Sequence, residues 1–337
     1  LELGNKPVLA LVVEKDGSRH LQLHQPDIAM ATQKLNKAYK ANPSIVAFHD
    51  MDQDGQNDLL LLAPFEKIKV LVNRVDADFE EVDVAPPGGT LDKPTFNTAD
   101  VDGDGKAELL LAQQNFLRAV KLEKKNEKWR LRVKDQINGA GTDSRLLTAV
   151  ALPAGGDQTA LLLLDTARKE LTVCERDRTG VWQPTQHLTL PTVDFTEAQT
   201  LALGSKTVNA LAFTGVNQAA WLAFTGSTWK LEERASYETP LKDAELRDVV
   251  CGDLTGNGRK DFVFLETAKN HLDLAAWDAP GKVLPALRWR VFEQRSFRGR
   301  SGGVEPREAV IADFDGDKRN DLAVLVHDRV LLYTQEK

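Results

Sequence analysis

Four short stretches of the sequence carry oxygen-bearing side chains at their first, third, fifth and ninth residues. Each is followed at once by apolar residues that favour a β-strand. Calcium takes six to eight oxygen ligands, and side chains two residues apart on a tight loop converge on one point. The pattern therefore predicts calcium loops that lead into strands. The stretches read DMDQDGQND at 50–58, DVDGDGKAE at 100–108, DLTGNGRKD at 253–261 and DFDGDKRND at 313–321.

Two other interpretations of these stretches are an EF-hand and a solvated turn. An EF-hand needs a glutamate at position 12 and flanking helices, whereas position 12 is Leu61 in the first copy and Leu111 in the second. Acidic turns without a metal are common. Four copies, each with an acid at the ninth position, favour calcium over a solvated turn.

Each loop is predicted to bind one Ca²⁺, up to four in all, through four side chains and the main-chain carbonyl at position 7. Glycine at position 6 of three loops permits the positive φ of such a turn. The predicted metal-binding residues are Asp50, Asp52, Asp54, Gln56, Asp58, Asp100, Asp102, Asp104, Lys106, Glu108, Asp253, Thr255, Asn257, Arg259, Asp261, Asp313, Asp315, Asp317, Arg319 and Asp321.

The four loops are not expected to bind calcium equally well. The third has only two carboxylates, Asp253 and Asp261, so its attraction for the ion should be the weakest. The fourth has Lys318 where the others have glycine, which adds backbone strain and a nearby positive charge.

The spacing of the loops indicates a repeat. The ninth-position residues Asp58 and Glu108 differ by 50 positions, and Glu108 and Asp261 by 153, which is three such periods. Two further units without ligands are therefore expected, with Ala160 and Ala210 at the ninth position. Another unit is expected near Pro7. Repeats of 20 to 50 residues are typical of solenoids and propellers.

This repeat resembles the FG-GAP or VCBS type of integrin α-subunit heads and of exported bacterial proteins, in which each unit is one four-stranded blade of a β-propeller. The resemblance implies an all-β, seven-bladed β-propeller with blades of about 50 residues. Pro7, Ala160 and Ala210 depart from the acidic pattern. We expect one domain over 1–337, with approximate blades 1–40, 41–90, 91–140, 141–193, 194–241, 242–300 and 301–337.

The two ends of the sequence each supply only part of a blade. The first unit begins with a strand near 7–13, and 329–334 is predicted as the third strand of the last blade. The ends are therefore expected to share one blade, or the chain to be part of something longer.

Composition narrows the functional class. No run approaches the roughly 20 apolar residues of a membrane span, and the net charge of −7 disfavours nucleic acid as a partner. Cys174 and Cys251 fall in blades that are not neighbours, so a disulfide is not expected. Loops of this type usually need millimolar calcium, which predicts a secreted, periplasmic or cell-surface protein.

The interval before the last loop is about ten residues longer than the others and is rich in arginine and aromatic residues. Arg295, Arg298 and Arg300 are predicted to contact a partner, an acidic protein surface or polysaccharide. In a propeller this link lies opposite the calcium loops, the face at which partners dock in the integrin heads. The alternative is that Trp289 and Phe292 belong to the blade core and the arginines form a solvated loop.

Catalytic motifs are not found in the sequence: the six histidines form no metal-binding pattern, and neither a GxSxG elbow nor a Walker loop is present. The sequence therefore favours a non-catalytic, calcium-binding propeller that serves as a binding, adhesion or scaffold domain, as a monomer or part of a larger chain. The alternative is a carbohydrate-active enzyme, of lyase or dehydrogenase type, with its site on the face of the inter-blade links.

Overall fold

The regular structure of the chain consists of β-strands. In the part that the structure describes, seven antiparallel sheets of three or four strands follow one another, with a separate two-stranded ribbon at the start and no helix. This is a seven-bladed β-propeller, as predicted. The structure is a computed structural model that describes residues 2–3, 6–25, 28–36, 42–74, 78–155, 158–190, 195–202, 209–224, 229, 231–278, 282–291 and 304–335.

The chain divides into two compact units, Leu1–Leu190 and Pro191–Lys337. The first unit holds the ribbon and blades 1 to 4. Its strands are β1 (Glu2–Leu3), β2 (Lys6–Pro7), β3 (Leu9–Lys15), β4 (Ser18–Gln25), β5 (Ile28–Lys34), β6 (Ile45–His49), β7 (Asp58–Leu62), β8 (Ile68–Val72), β9 (Glu80–Val84), β10 (Thr98–Ala99), β11 (Glu108–Gln113), β12 (Phe116–Lys125), β13 (Lys128–Asn138), β14 (Leu146–Gly155), β15 (Gln158–Asp165), β16 (Glu170–Arg176) and β17 (Trp182–Thr189).

The second unit holds blades 5 to 7. Its strands are β18 (Phe195–Ala202), β19 (Asn209–Gly215), β20 (Gln218–Phe224), β21 (Leu231–Glu238), β22 (Leu246–Gly252), β23 (Asp261–Glu266), β24 (His271–Asp278), β25 (Lys282–Arg290), β26 (Glu308–Ala312), β27 (Asp321–Val326) and β28 (Arg329–Tyr333).

Every blade falls inside the bounds expected from the repeat. The first blade, β3–β4–β5, and the last, β26–β27–β28, have three described strands each, and β28 is the third strand, as predicted. One detail differs, because Pro7 pairs in the ribbon and the first blade begins at Leu9. Whether the two units form one domain stays a prediction.

The unbroken leucine runs after the acidic loops reflect burial of both faces of the second strands. On β7, Leu60 and Leu62 pack in one cluster with Leu109 of the next blade, while Leu59 and Leu61 pack in another. Successive side chains of a strand point to opposite faces. A strand with both faces covered is therefore apolar at every position rather than at alternate positions.

The two cysteines are free thiols, as expected. Cys174 is buried in the core of the first unit, and burial raises the pKa of its thiol to about 12. Cys251 is half-buried. In the part of the chain that the structure describes, no helix is long and apolar enough to cross a membrane.

A second repeated feature closes the turns at the other end of two blades. The buried carboxylate of Asp165 accepts hydrogen bonds from the main chain of Ala167 and Arg168. Glu266 does the same for Ala268 and Lys269. The sequence signal is the pair DTAR and ETAK, each placed directly after an apolar strand.

Candidate metal centres

The four acidic loops join the first and second strands of blades 2, 3, 6 and 7, which is the position predicted for them. In each loop the ninth residue is the first residue of the second strand: Asp58, Glu108, Asp261 and Asp321. All four side chains are at most 1% exposed. The loops therefore begin at the protein surface and end in the core.

The first aspartate of each loop holds the turn together. The two carboxylate oxygens of Asp50 accept hydrogen bonds of 2.9 Å from the main-chain N–H groups of Asp54 and Gly55. Asp100, Asp253 and Asp313 bind the corresponding pair of N–H groups in their own loops at 2.8–3.2 Å. This arrangement draws the acidic residues of a loop around one centre.

The ninth residue binds back to the start of its loop. One oxygen of Asp58 accepts from the N–H of Met51 at 2.9 Å, and the other accepts from Asn73 at 2.8 Å. The same bond to the second loop residue occurs at 3.1 Å in blade 3 and at 2.9 Å in blades 6 and 7. A buried main-chain donor without a partner is costly, so this carboxylate contributes to the fold as well as to the site.

The fifth residue of each loop also closes the turn, and its predicted role as a calcium ligand stays a prediction. The side-chain oxygens of Asp54, Asp104, Asn257 and Asp317 each accept from the N–H of the seventh residue, at 2.8–2.9 Å. The seventh residues are Gln56, Lys106, Arg259 and Arg319, and ligation through their carbonyls stays a prediction. Thr255, the third residue of the blade 6 loop, is exposed.

The backbone turns left-handed twice in each loop. At the sixth residue, φ is +93° for Gly55, +84° for Gly105, +76° for Gly258 and +71° for Lys318, so the lysine takes the left-handed conformation from which strain is expected. At the fourth residue, three loops have glycine and blade 2 has Gln53 at φ +62°. A side chain in this region costs energy that glycine avoids.

Three of the loops bring three carboxylates together. In each group, one ligand atom from every residue lies within 4.8 Å of the others. This oxygen-only donor set suits Ca²⁺, and Oδ1 of Asp52 is buried without a hydrogen-bond partner among the described residues. The residues therefore fit a calcium ion. The groups are Asp50, Asp52 and Asp58; Asp100, Asp102 and Glu108; and Asp313, Asp315 and Asp321.

The loop of blade 6 differs from the other three. It forms no group of three carboxylates, in agreement with its composition. However, Oδ1 of Asp261 is buried and has no hydrogen-bond partner in the described part of the chain. One oxygen thus remains available to an ion, although fewer charges surround it.

Burial makes several of these carboxylates weak acids when no cation is near. It raises the pKa of Asp58 to about 7, even though hydrogen bonds from Asn73 and Met51 oppose the shift. Burial also raises the pKa of Glu108 and, with the nearby Asp54 charge, that of Asp52. A divalent cation would reverse these shifts by favouring the ionised forms.

Basic side chains from neighbouring strands partly neutralise the loops. Arg74 lies 3.6 Å from Asp52 and 3.9 Å from Asp54. Lys134 forms an ion pair with Asp102 and lies 3.4 Å from Asp104, and these contacts raise its pKa. Sequence spacing did not reveal these cations, because Arg74 follows the third strand of blade 2 and Lys134 lies within the fourth strand of blade 3.

Neighbouring loops are joined through side-chain amides. Gln53 is buried, and its Nε2 donates to Oε1 of Glu108 in the next loop at 3.0 Å. Lys121 donates to Oε1 of Gln53 at 2.8 Å, and Lys106 donates to the main-chain carbonyl of Gln53 at 2.6 Å. In the second unit, Nδ2 of Asn320 donates to the carbonyl of Asp253 at 3.2 Å.

The signal for Gln53 was present in the sequence. It stands where the other three loops have glycine, so turn geometry does not explain this side chain. Its contact with Glu108, 55 positions away, joins two successive repeats and could be seen only in three dimensions.

The predicted partner site at Arg295, Arg298 and Arg300 lies outside the described residues and stays a prediction. Nearby, Trp289 packs against the core cluster of blades 6 and 7, as the alternative interpretation expected for it, and Phe292 lies outside the described residues. Arg288 pairs with the buried Asp273, which also accepts from Tyr237 at 2.6 Å. Arg288 therefore has a structural role.

Residues 50–111 match the family model of the FG-GAP-like repeat. The match begins at the first residue of the blade 2 loop and ends within β11 of blade 3. The chain is thus a seven-bladed β-propeller that carries an FG-GAP-like repeat at residues 50–111. No curated protein matches its sequence.

Solved structures similar to this propeller are distant in sequence. One is the periplasmic gluconolactonase of Pseudomonas aeruginosa, at 13% identity and a TM-score of 0.58, with 98% of this chain and 99% of that chain covered. Another is a putative 6-phosphogluconolactonase of Bacteroides fragilis, at 12% identity and a TM-score of 0.58, with 94% of this chain and 86% of that chain covered. A third is BBS1N in complex with ARL6DN, at 12% identity and a TM-score of 0.52, with 97% of this chain and 91% of that chain covered. At these identities the likeness concerns the fold alone.

Proposed function

We propose that this chain is a calcium-binding, non-catalytic propeller that serves as a binding or scaffold domain for a protein or polysaccharide. The observation that carries the calcium part is the carboxylate network repeated in four loops, with three carboxylates within 4.8 Å of one another in three of them. Calcium would supply positive charge that offsets the repulsion among these groups. The protein supplies the fixed oxygens, since each first aspartate is held by two main-chain N–H groups.

The non-catalytic part of the proposal is supported by how the polar groups are used. Among the described residues, each group of three or more possible metal ligands consists of carboxylates in the acidic loops. Two other buried carboxylates, Asp165 and Glu266, each accept from turn N–H groups, and Oδ2 of Asp165 has no hydrogen-bond partner among the described residues. One similar structure, BBS1N, was solved in complex with another protein, and two others are a gluconolactonase and a putative 6-phosphogluconolactonase.

The proposed setting is secreted, periplasmic or cell-surface, where calcium is millimolar. For a dissociation constant near 0.1 mM and calcium near 2 mM, each occupied loop would stabilise the fold by about 1.8 kcal/mol. Such weak sites would be mostly empty in a cytosol.

The test is a calcium titration by calorimetry together with thermal unfolding in calcium, magnesium or EDTA. We expect heat of binding and a melting temperature that rises with calcium more than with magnesium. The matched variant Asp100→Ala should lose one site, whereas Asp143→Ala, an exposed aspartate outside the loops, should lose none. No heat and an unchanged melting temperature would refute the calcium proposal. Hydrolysis of a sugar lactone or cleavage of a polysaccharide would instead favour the enzyme alternative.

A further inference from the structure

The third blade carries a concentration of positive charge in the hairpin of β12 and β13. Residues 121–134 contain seven Lys and Arg side chains and two Glu side chains, a net charge of +5 within a chain of net charge −7. The turn of this hairpin lies at the same end of the sheet as the acidic loop, because the loop follows the first strand of the antiparallel blade, β10, and the turn follows the third, β12. The contact of Lys134 with Asp102 agrees with this placement.

Strand alternation divides the hairpin into two faces. Val120 and Leu122 are buried in the core, and Leu131 packs with them. The opposite face carries five cations around Glu123 and is here called the basic face. Its cations are Lys121, Lys125, Lys128, Arg130 and Arg132.

The charges of the basic face work against folding. Lys121 is paired across the strands with Arg132, and Lys125 with Lys128. Like charges directly opposite each other destabilise a sheet. Glu123 alone on this face offsets them, and it is shared by Arg130 and by Arg132, which lies 3.7 Å away. The side chains of these two arginines are 52% and 56% exposed.

The edge beside the basic face is open to another strand. β13 is the outermost strand of its sheet, so its outer edge has no strand partner among the described residues. Its same-face side chains recur every two residues, or about 7 Å. The alternate side chains of an extended peptide have the same spacing, and arginine forks bind carboxylates through two parallel hydrogen bonds.

The surroundings favour a peptide over a sugar chain. Sugar rings usually need an exposed aromatic face, but Trp129 lies on the core face of the hairpin. Its indole N–H donates to Glu80 at 2.6 Å, and Arg74 and Lys124 lie over its ring. A shallow depression on the hairpin is lined by charged side chains only: Glu123, Lys124, Lys125, Arg130 and Arg132.

We propose that the basic face and the open edge of β13 bind an extended acidic segment of a partner protein, in which Asp or Glu alternates with other residues. The main chain of that segment would pair with β13, and its carboxylates would meet Arg130 and Arg132. This inference rests on the binding role proposed above but not on calcium.

The test uses fluorescence anisotropy with a labelled peptide in which Glu alternates with Thr. The comparison peptides have Gln in place of Glu, or all the Glu residues clustered at one end. We expect binding of the alternating peptide that weakens with salt. The double variant Arg130→Ser/Arg132→Ser should reduce this affinity by about tenfold or more. The double variant Lys93→Ser/Arg178→Ser removes the same charge from exposed positions outside the hairpin and should change it little.

Several outcomes would overturn the inference. Equal losses of affinity in both double variants would mean that only the net charge of the protein matters. Equal binding of the Glu and Gln peptides would show that the partner need not be acidic. Stronger binding of polygalacturonate or of the clustered peptide would point to a different polyanion. If the peptide does not bind and the arginine variant self-associates, the cations serve only to prevent the edge strand from pairing with other copies. Measurements in calcium and in EDTA separate this result from failure of the calcium proposal.

Discussion

The first two strands of a blade are joined in one way in blade 2 and in another in blade 4. In blade 2, β6 and β7 have five residues each, with the acidic loop between them. In blade 4, β14 and β15 have ten and eight residues, and only 156–157 separates them. The ninth-position residue is Asp58 in one and Ala160 in the other, and both are completely buried.

The difference shows two ways of providing hydrogen-bond partners for the main-chain groups between the first two strands. The longer strands of blade 4 extend their ladder, so that Pro153 lies opposite Thr159 and Leu152 opposite Ala160. In blade 2 the loop N–H groups bind carboxylates instead, which brings Asp50, Asp52 and Asp58 together. Only the second solution concentrates negative charge, so only blades built in this way should respond to pH and chelators.

The largest expected effect is a pH dependence of the metal-free protein. Because the pKa of Asp58 is raised to about 7, the folded state keeps a proton that the unfolded state has lost at intermediate pH. The free energy of unfolding in EDTA should therefore fall as pH rises from about 4 to 7, by on the order of 4 kcal/mol from this group. Glu108 and Asp52 shift in the same direction.

Urea unfolding across this pH range measures the effect, with Asp58→Asn as the variant that cannot titrate. Saturating calcium should flatten the wild-type curve, because it favours the ionised carboxylate. Hydrogen exchange gives the regional comparison: amides of β6 and β7 should lose protection as pH rises, and those of β14 and β15 should not. Equal loss in both blades would mean that the acidic loop is not the source.

A second prediction concerns the structural part of the ninth residue. Asp58→Ala copies the residue found in blade 4 but leaves the N–H groups of Met51 and Asn73 without their acceptor. We expect destabilisation of about 3 kcal/mol even in EDTA, since each unsatisfied buried donor costs about 1–3 kcal/mol. Asp54→Ala removes one local bond at an exposed position and should cost less than about 1 kcal/mol. Similar losses for the two variants would contradict the distinction.

The contrast between blades was largely predictable from the sequence. The repeat period predicted Ala160 and Ala210 in strands, and in the structure they lie in β15 and β19. Acid spacing likewise placed Asp50, Asp52 and Asp58 together. Both signals are local, because loop and strand periodicity act over a few residues.

Contacts between residues that are distant in the sequence could not be predicted in this way. Arg74 and Lys134 reach the acidic loop of their own blade from positions that depend on strand register. Gln53 reaches the loop of the next blade, which depends on packing between blades. Metal ligation by the fifth-position side chains stays a prediction, and their hydrogen bonds to the seventh residue follow from the turn conformation. Composition does not determine which acceptor a loop N–H will use when several carboxylates are within reach.

A smaller effect is expected from breaking the hydrogen bond that joins the acidic loops of blades 2 and 3. Gln53→Gly restores the glycine of the other loops but removes the hydrogen bond to Glu108. We expect calcium binding by the blade 3 loop to weaken about three- to tenfold, because the amide orients that carboxylate. Calorimetry with Asp50→Ala in the wild type and in Gln53→Gly would show whether the two loops bind calcium cooperatively. Unchanged affinity and additive effects would reduce Gln53 to a packing residue.

The smallest expected effect tests whether the acidic loops differ in backbone strain. Lys318 has φ +71° at the position where the other three loops have glycine, and its N–H donates to Asp313 at 2.9 Å. Lys318→Gly keeps that bond, relieves the left-handed conformation and removes a cation beside the carboxylates. The metal-free protein should gain about 1 kcal/mol of stability, and the last loop should bind calcium more tightly. The reciprocal Gly258→Lys in blade 6 should lose a similar amount, because Gly258 has φ +76°. Urea midpoints in EDTA that move in the same direction for both variants would contradict the strain argument, since the two loops share one turn geometry.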